Sequence, residues 1–137
     1  MIRPLVLACL LTASAATASD VDSTRADIQA TLGVVPSFVD DVAEAALPGL
    51  WAATKGLEFS DTALDMKTKA LVSLAVSAQI PCSYCIWLDT NTARAHGASD
   101  EEIAEAVAIA AETRAWSTIF NGMQVDLAGF KAELGGH

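Results

Sequence analysis

Two cysteines in the run Cys82-Ser83-Tyr84-Cys85 have the spacing in this chain that points most directly to chemistry. On a helix, residues three apart carry β carbons about 5–6 Å apart, and a disulfide needs α carbons about 4.4–6.8 Å apart. The pair can therefore close a bond within one turn. Pro81 stands just before it and places the sulfurs in a first helical turn, where unsatisfied amides and the helix dipole favour negative charge. That setting lowers a thiol pKa, and the thiolate is the form that attacks peroxides or disulfides. A passive disulfide here would close a very short loop and add little through chain entropy. Redox work is the reading this spacing favours, with an inert disulfide as its rival.

Zinc is a second reading of the same spacing. A closed zinc site takes four ligands, and the remaining soft partners, His96 and His137, do not stand at a ligand spacing. A thioredoxin-like fold is a third, and it needs strands alternating with helices. The third cysteine, Cys9, lies in a stretch of another kind. Arg3, the apolar run from Leu5 to Leu11 and the small-x-small Ala16-Thr17-Ala18 follow the order of a secretory leader. Residues 1–18 are expected to be removed, leaving one domain over 19–137 in a periplasmic or secreted location. Val6-Leu7-Ala8-Cys9 resembles a lipoprotein box, but cleavage there would leave almost no apolar run before it. The apolar run is also short of the roughly 20 residues that span a bilayer, so the mature form is expected to carry no membrane segment.

The elements that must position the cysteines read as helices throughout. Thr24 to Leu32 ends at Gly33, a residue that takes the left-handed conformation readily. Pro36 opens a helix to about Ala46, and Pro48 opens another, with Leu50, Trp51 and Ala53 before Gly56. Asp61 or Thr62 can cap a longer helix to about Ile80. In it Leu64, Leu71, Leu74, Ala75 and Ala78 recur at helical spacing, Val72 and Val76 widening the stripe. A helix so apolar is expected to be buried on most sides. The cysteine pair opens the next, running to about Ala95 with Gly97 beyond. Ser99-Asp100-Glu101-Glu102 is a capping box. Ile103, Val107, Ala110 and Ala111 form one face after it, and Ile119, Met123 and Leu127 belong to a last helix. No segment alternates with period two, so the fold class is all-α. Tyr84 and Trp87 flank the pair. They either line an apolar pocket for a hydroperoxide or, as is commoner for bulky residues beside a helix start, pack in the core. Trp51 and Trp116 are expected to pack in the core, and Lys67 and Lys69 to be surface charges.

Composition bounds the partners. The chain of 137 residues has 17 acidic against 8 basic side chains. So negative a surface is poorly suited to nucleic acid or anionic membranes. Its hydrophobic fraction is 53%, more than a small domain hides well within itself, which suggests a homo-oligomer. Ser73, Ser77 and Ser117 show no histidine or acid at a spacing that suggests hydrolase chemistry. No Gly-rich phosphate loop is present.

The run from Leu64 to Val107 resembles the core of the alkylhydroperoxidase D (AhpD)-like, or carboxymuconolactone decarboxylase-like, family. The residues that carry the likeness are Ala70-Leu71-Val72-Ser73-Leu74-Ala75-Val76-Ser77-Ala78 and Cys82-Ser83-Tyr84-Cys85, then Ala93-Arg94-Ala95-His96-Gly97-Ala98-Ser99 and Glu101-Glu102-Ile103. The decarboxylase branch generally lacks the cysteine pair, so the resemblance points to the peroxidase or disulfide-reductase branch. It implies an AhpD-like helical domain with the C-x-x-C at a helix N-terminus, assembled as a homotrimer or homohexamer. It implies that Cys85 attacks a hydroperoxide to give a sulfenic acid, that Cys82 resolves it to a disulfide, and that an external dithiol reduces that disulfide. No metal or organic cofactor is implied.

Two positions depart from the family pattern. A histidine follows the second cysteine by four residues in the family and a glutamate precedes the first by twelve, together forming a proton relay. Here those positions hold Asp89 and Ala70. Asp89 falls one turn beyond Cys85 on the same face, and an ionised carboxylate there disfavours the thiolate. It is a candidate weak base or, equally, a solvated bystander. His96 is three turns from Cys85, roughly 16 Å along one helix, too far to replace the relay within a chain. The competing reading is a weakly active or inactive helical oligomer with a structural disulfide that binds a small ligand.

Overall fold

The computed structural model describes residues 11–135, with side chains described from Asp20. The described elements are helical: α1 Leu11–Leu32, a 3-10 turn Ser37–Asp41, α2 Leu47–Glu58, α3 Met66–Gln79, α4 Ser83–Ala95, α5 Asp100–Gly122 and α6 Leu127–Leu134. Among the described residues there is no strand, in keeping with the missing period-two pattern. The chain divides after Ser60 into two units.

In the first unit, α1 begins well before Thr24, because the alanine-rich stretch ahead of it is itself a good helix former. Residues 1–10, which hold most of the expected leader, lie outside the described residues; 11–18 are continuous with α1. Gly33 closes this helix at φ +76°, its N–H donating to the Gln29 carbonyl. Val21 and Ile28, two turns apart on one face of α1, pack with Val39 and Leu47, and Trp51 covers them. Burying such side chains contributes about 1.5–3 kcal/mol each. The helix expected from Pro36 shrinks to the 3-10 turn that carries Val39 inward. α2 runs through Gly56 rather than stopping before it. Trp51 Nε1 (2.7 Å) and Lys55 Nζ (2.6 Å) both donate to Asp27 across the α1–α2 contact.

In the second unit α3 packs against both α4 and α5. It starts later than expected, because Asp65, not Asp61 or Thr62, is the cap: its Oδ1 accepts from the Thr68 amide at 2.8 Å. Ala70, Leu74 and Ser77 recur at helical spacing and are its buried face, meeting α4's buried Asp89 and Ala93. Three of these five are small, so the helix axes approach closely. Both ends of α3 are tied to α5. Lys67 lies 2.8 Å from Glu102, while Gln79 donates to the Ala110 carbonyl at 2.8 Å and accepts from Arg114.

The expectation that α3 is buried on most sides does not hold within the chain. Val72, Val76 and Ile80 are exposed, as are Tyr84 (87%) and Trp87 (69%) on α4. Trp116 on α5 is exposed too, stacking on Phe120. On α3 and α4 these side chains lie away from the buried faces, whereas α5 has no fully buried side chain. Ile119 belongs to α5, and Asp126 caps α6 afresh by accepting from the Ala128 and Gly129 amides.

Candidate active site

Helix α4 delivers the two sulfurs. α3 ends at Gln79, and the chain turns through Ile80 and Pro81 while the Cys82 amide donates back to the Ser77 carbonyl at 3.1 Å. Cys82 is the N-cap: its backbone is extended, its carbonyl accepts the first helical bond from Ile86, and its Sγ accepts from the Cys85 amide at 3.3 Å. The sequence places Cys82 inside the first turn, whereas it sits one position ahead of the helix. Cys85 is in the first turn. The two are joined as a disulfide with α carbons 5.3 Å apart. Both residues are partly exposed.

The far end of α4 is fixed as the sequence suggests. Gly97, at φ +84°, ends it, with the Ala98 amide donating to the Ala93 carbonyl. Ser99 and Glu102 then form the reciprocal capping box that starts α5. Glu102 is held below the usual carboxylate range, first by the hydrogen bond from Lys67 and then by the Ser99 amide. Lys67 is correspondingly raised by Glu102. Lys67 is thus a paired charge rather than a free surface one.

Asp89 is not solvated. It is 9% exposed, on the face of α4 turned to α3, and Ser73 Oγ donates to its Oδ2 at 3.0 Å. Ala70 is buried one turn before Ser73 on the same face. The two departures from the relay therefore lie in one place, and a hydroxyl at position 73 meets the carboxylate at position 89. Nothing along the chain singles out Ser73, since no acid stands near it in the sequence. Its partner is sixteen residues away on another helix. The one available signal was its spacing, one turn beyond position 70. His96 caps the C-terminal end of α4, exposed and about three turns from Cys85.

Tyr84 and Trp87 do not pack in the core; they stand outward beside the disulfide. An open groove between α5 and α6, lined by Trp116, Phe120, Phe130 and Leu134, includes neither cysteine. Among the described residues no three His, Cys, Asp or Glu side chains come together as a metal site. No helix there is long and apolar enough to cross a membrane.

An all-helical unit with a cysteine pair at the start of its second helix defines the class. The chain belongs to the carboxymuconolactone decarboxylase family, whose model matches residues 41–126. In three dimensions it is similar to the crystal structure of the alkylhydroperoxidase AhpD core from Rhodospirillum rubrum. That likeness has a TM-score of 0.68 and 29% identity, and covers 93% of this chain and 94% of that one. It is also 40% identical over 73 residues to uncharacterized protein 4 in the cox locus of Paracoccus denitrificans. The match takes in 53% of this chain and 66% of that protein, just under two thirds of the relative's length.

Proposed function

We propose that this protein is an exported AhpD-like thiol oxidoreductase that reduces hydroperoxides or exchanges disulfides through Cys82 and Cys85. The observation that carries the reading is the disulfide itself, partly exposed and held at the start of α4. In the reduced protein the Cys85 sulfur attacks the distal oxygen of a hydroperoxide, breaking the O–O bond. This yields Cys85 sulfenic acid and an alcohol, the thiol proton passing by way of Asp89 to the departing oxygen. Cys82 then attacks the sulfenic sulfur, releasing water and closing the disulfide. An external dithiol gives two electrons and two protons to restore both thiols and leaves as its own disulfide. First-turn amides favour the attacking thiolate, as the helix dipole does. The likeness to the alkylhydroperoxidase core supports this chemistry.

The outward apolar side chains of α3 and α4, Val72, Val76, Ile80, Tyr84, Trp87 and Leu88, support a homotrimer or homohexamer that covers them. The leader-like order of residues 1–18 supports a periplasmic or secreted location, where the dithiol donor must also be found.

A second reading is favoured by one observation: neither relay position keeps its family residue, and Asp89 places a carboxylate near the thiol. In it the protein is a helical oligomer with a structural disulfide. Peroxide consumption with a synthetic dithiol separates the two. Turnover that disappears in Cys85→Ser and Cys82→Ser supports the oxidoreductase. Disulfide re-formation no faster than that of a model dithiol assigns the chain to the second reading.

A further inference from the structure

We propose that Ser73 is a positioning residue that tunes the Cys85 thiol through Asp89; the inference rests on the oxidoreductase reading of the cysteine pair. Ser73 Oγ donates to Asp89 Oδ2 at 3.0 Å. Asp89 is 9% exposed and lies one helical turn beyond Cys85, which puts their β carbons about 5–6 Å apart. A carboxylate so placed opposes ionisation of the thiol by like-charge repulsion. In the reduced protein, a hydrogen bond from the neutral thiol to that carboxylate would oppose it again. The Ser73 hydroxyl counters both. It binds one carboxylate oxygen, draws negative charge toward α3, and fixes the direction in which the other oxygen faces.

The surrounding charges leave this short-range effect in place. On α3, Lys69 stands one turn before Ser73 on the same side and Lys67 is engaged by Glu102. At the α4–α5 junction Arg94 is engaged by Asp100 at 2.8 Å. At the far end of α3, Arg114 of α5 donates to the neutral Gln79. The Ser73 hydrogen bond acts at contact distance and, unlike the longer-range field of a charged side chain, is not screened by salt. A hydroxyl on α3 and a carboxylate on α4 thus occupy the region where the family places its glutamate and histidine.

The test is the pH dependence of Cys85 alkylation by iodoacetamide in the reduced full-length protein, read by peptide mass spectrometry and repeated at high salt. Ser73→Ala is expected to move the midpoint upward by about half a pH unit or more, since one unit is the scale of a single neighbouring interaction. Ser73→Thr, which keeps the hydroxyl, is expected to restore it. Asp89→Asn is expected to move it downward, and adding Ser73→Ala to that variant is expected to change nothing further. The inference is overturned if Ser73→Ala leaves the midpoint in place. It is also overturned if the shift is as large in the Asp89→Asn background, or if Thr does not rescue a folded protein. The readout does not depend on peroxide turnover. A protein that consumes no peroxide sinks the functional reading while the alkylation midpoints still decide the role of Ser73.

Discussion

Lys67 at the start of α3 and Glu102 at the start of α5 lie 2.8 Å apart, and the same Glu102 closes the capping box with Ser99. One carboxylate therefore serves a helix end and a helix–helix contact at once. Glu102→Gln keeps an oxygen for the Ser99 amide but loses the ion pair; Glu102→Ala loses both. Thermal unfolding is expected to rank wild type above Gln and Gln above Ala. The wild-type advantage over Gln should fade as salt is added, while the gap between Gln and Ala should not. Ser99→Ala, which removes the other half of the box, is expected to cost about 1 kcal/mol.

The same contacts set a pH window. Asp27 is lowered by its hydrogen bonds from Lys55 and Trp51, Asp65 by the Thr68 amide, and Glu102 by Lys67. A carboxylate with a lowered folded pKa stabilises the fold above its ordinary value, 3.8 for aspartate and 4.5 for glutamate. That contribution is lost as pH falls through the lower folded value. Lys67 is raised, so its contribution is complete below its ordinary 10.5 and is lost as pH climbs through the raised value. Chemical denaturation should show stability falling below about pH 4.5 and again above about 10.5. Lys67→Met should flatten the alkaline limb and shrink the share of the acid limb that belongs to Glu102.

Packing beneath the site gives a sharper expectation. Leu74 is 1% exposed at the centre of the α3 face, and Ala93 of α4 is 0% exposed. Leu74→Ala should cost about 2–5 kcal/mol by leaving a cavity. Ala93→Leu should cost about 1–3 kcal/mol by forcing α3 and α4 apart. The second change also pulls Asp89 from Ser73, so it is expected to alter the alkylation rate of the reduced cysteines. Leu74→Met, nearly volume-conserving, should change neither property much.

The outward stripe on α3 invites a test of assembly. Val76 is exposed with Val72 and Ile80 on a helix whose opposite face is filled. If a second copy covers this stripe, Val76→Glu buries an unpaired charge in the assembly but only a solvated one in the monomer. Sedimentation should then show wild type as a trimer or hexamer and the variant as a smaller species. A wild-type monomer at micromolar concentration would remove the oligomer from the proposal.

What could be read from the sequence was what local rules govern. Gly33 and Gly97 end their helices because a left-handed position favours glycine, and Ser99 with Glu102 forms its box because both partners lie within one turn. The cysteines bond because a helix start brings residues three apart within reach. The α3 cap differs from the Asp61 or Thr62 that the sequence suggests because Asp61, Thr62 and Asp65 are all good caps and only the fold selects one. Ser73 and Asp89 could not be paired from the chain, since their contact exists only when α3 packs on α4. Tyr84 and Trp87 stand outward because residue type says that a side chain is apolar, not which surface covers it.

Restoring a histidine at position 89 tests how much the carboxylate holds the thiol back. Asp89 lies against Ser73 in a nearly buried position. An imidazole there replaces a negative charge with a group that is neutral or positive near neutral pH. The Ser73 hydroxyl can turn to accept from a ring N–H, so the new side chain keeps a partner. Removing like-charge repulsion and adding a cation both favour the Cys85 thiolate. Reduced Asp89→His is therefore expected to react with iodoacetamide at pH 7 about tenfold faster than wild type, the factor that one pKa unit supplies. Peroxide consumption should rise with it if thiol ionisation limits turnover. Equal alkylation rates in the two proteins would mean that the carboxylate has no electrical hold on Cys85.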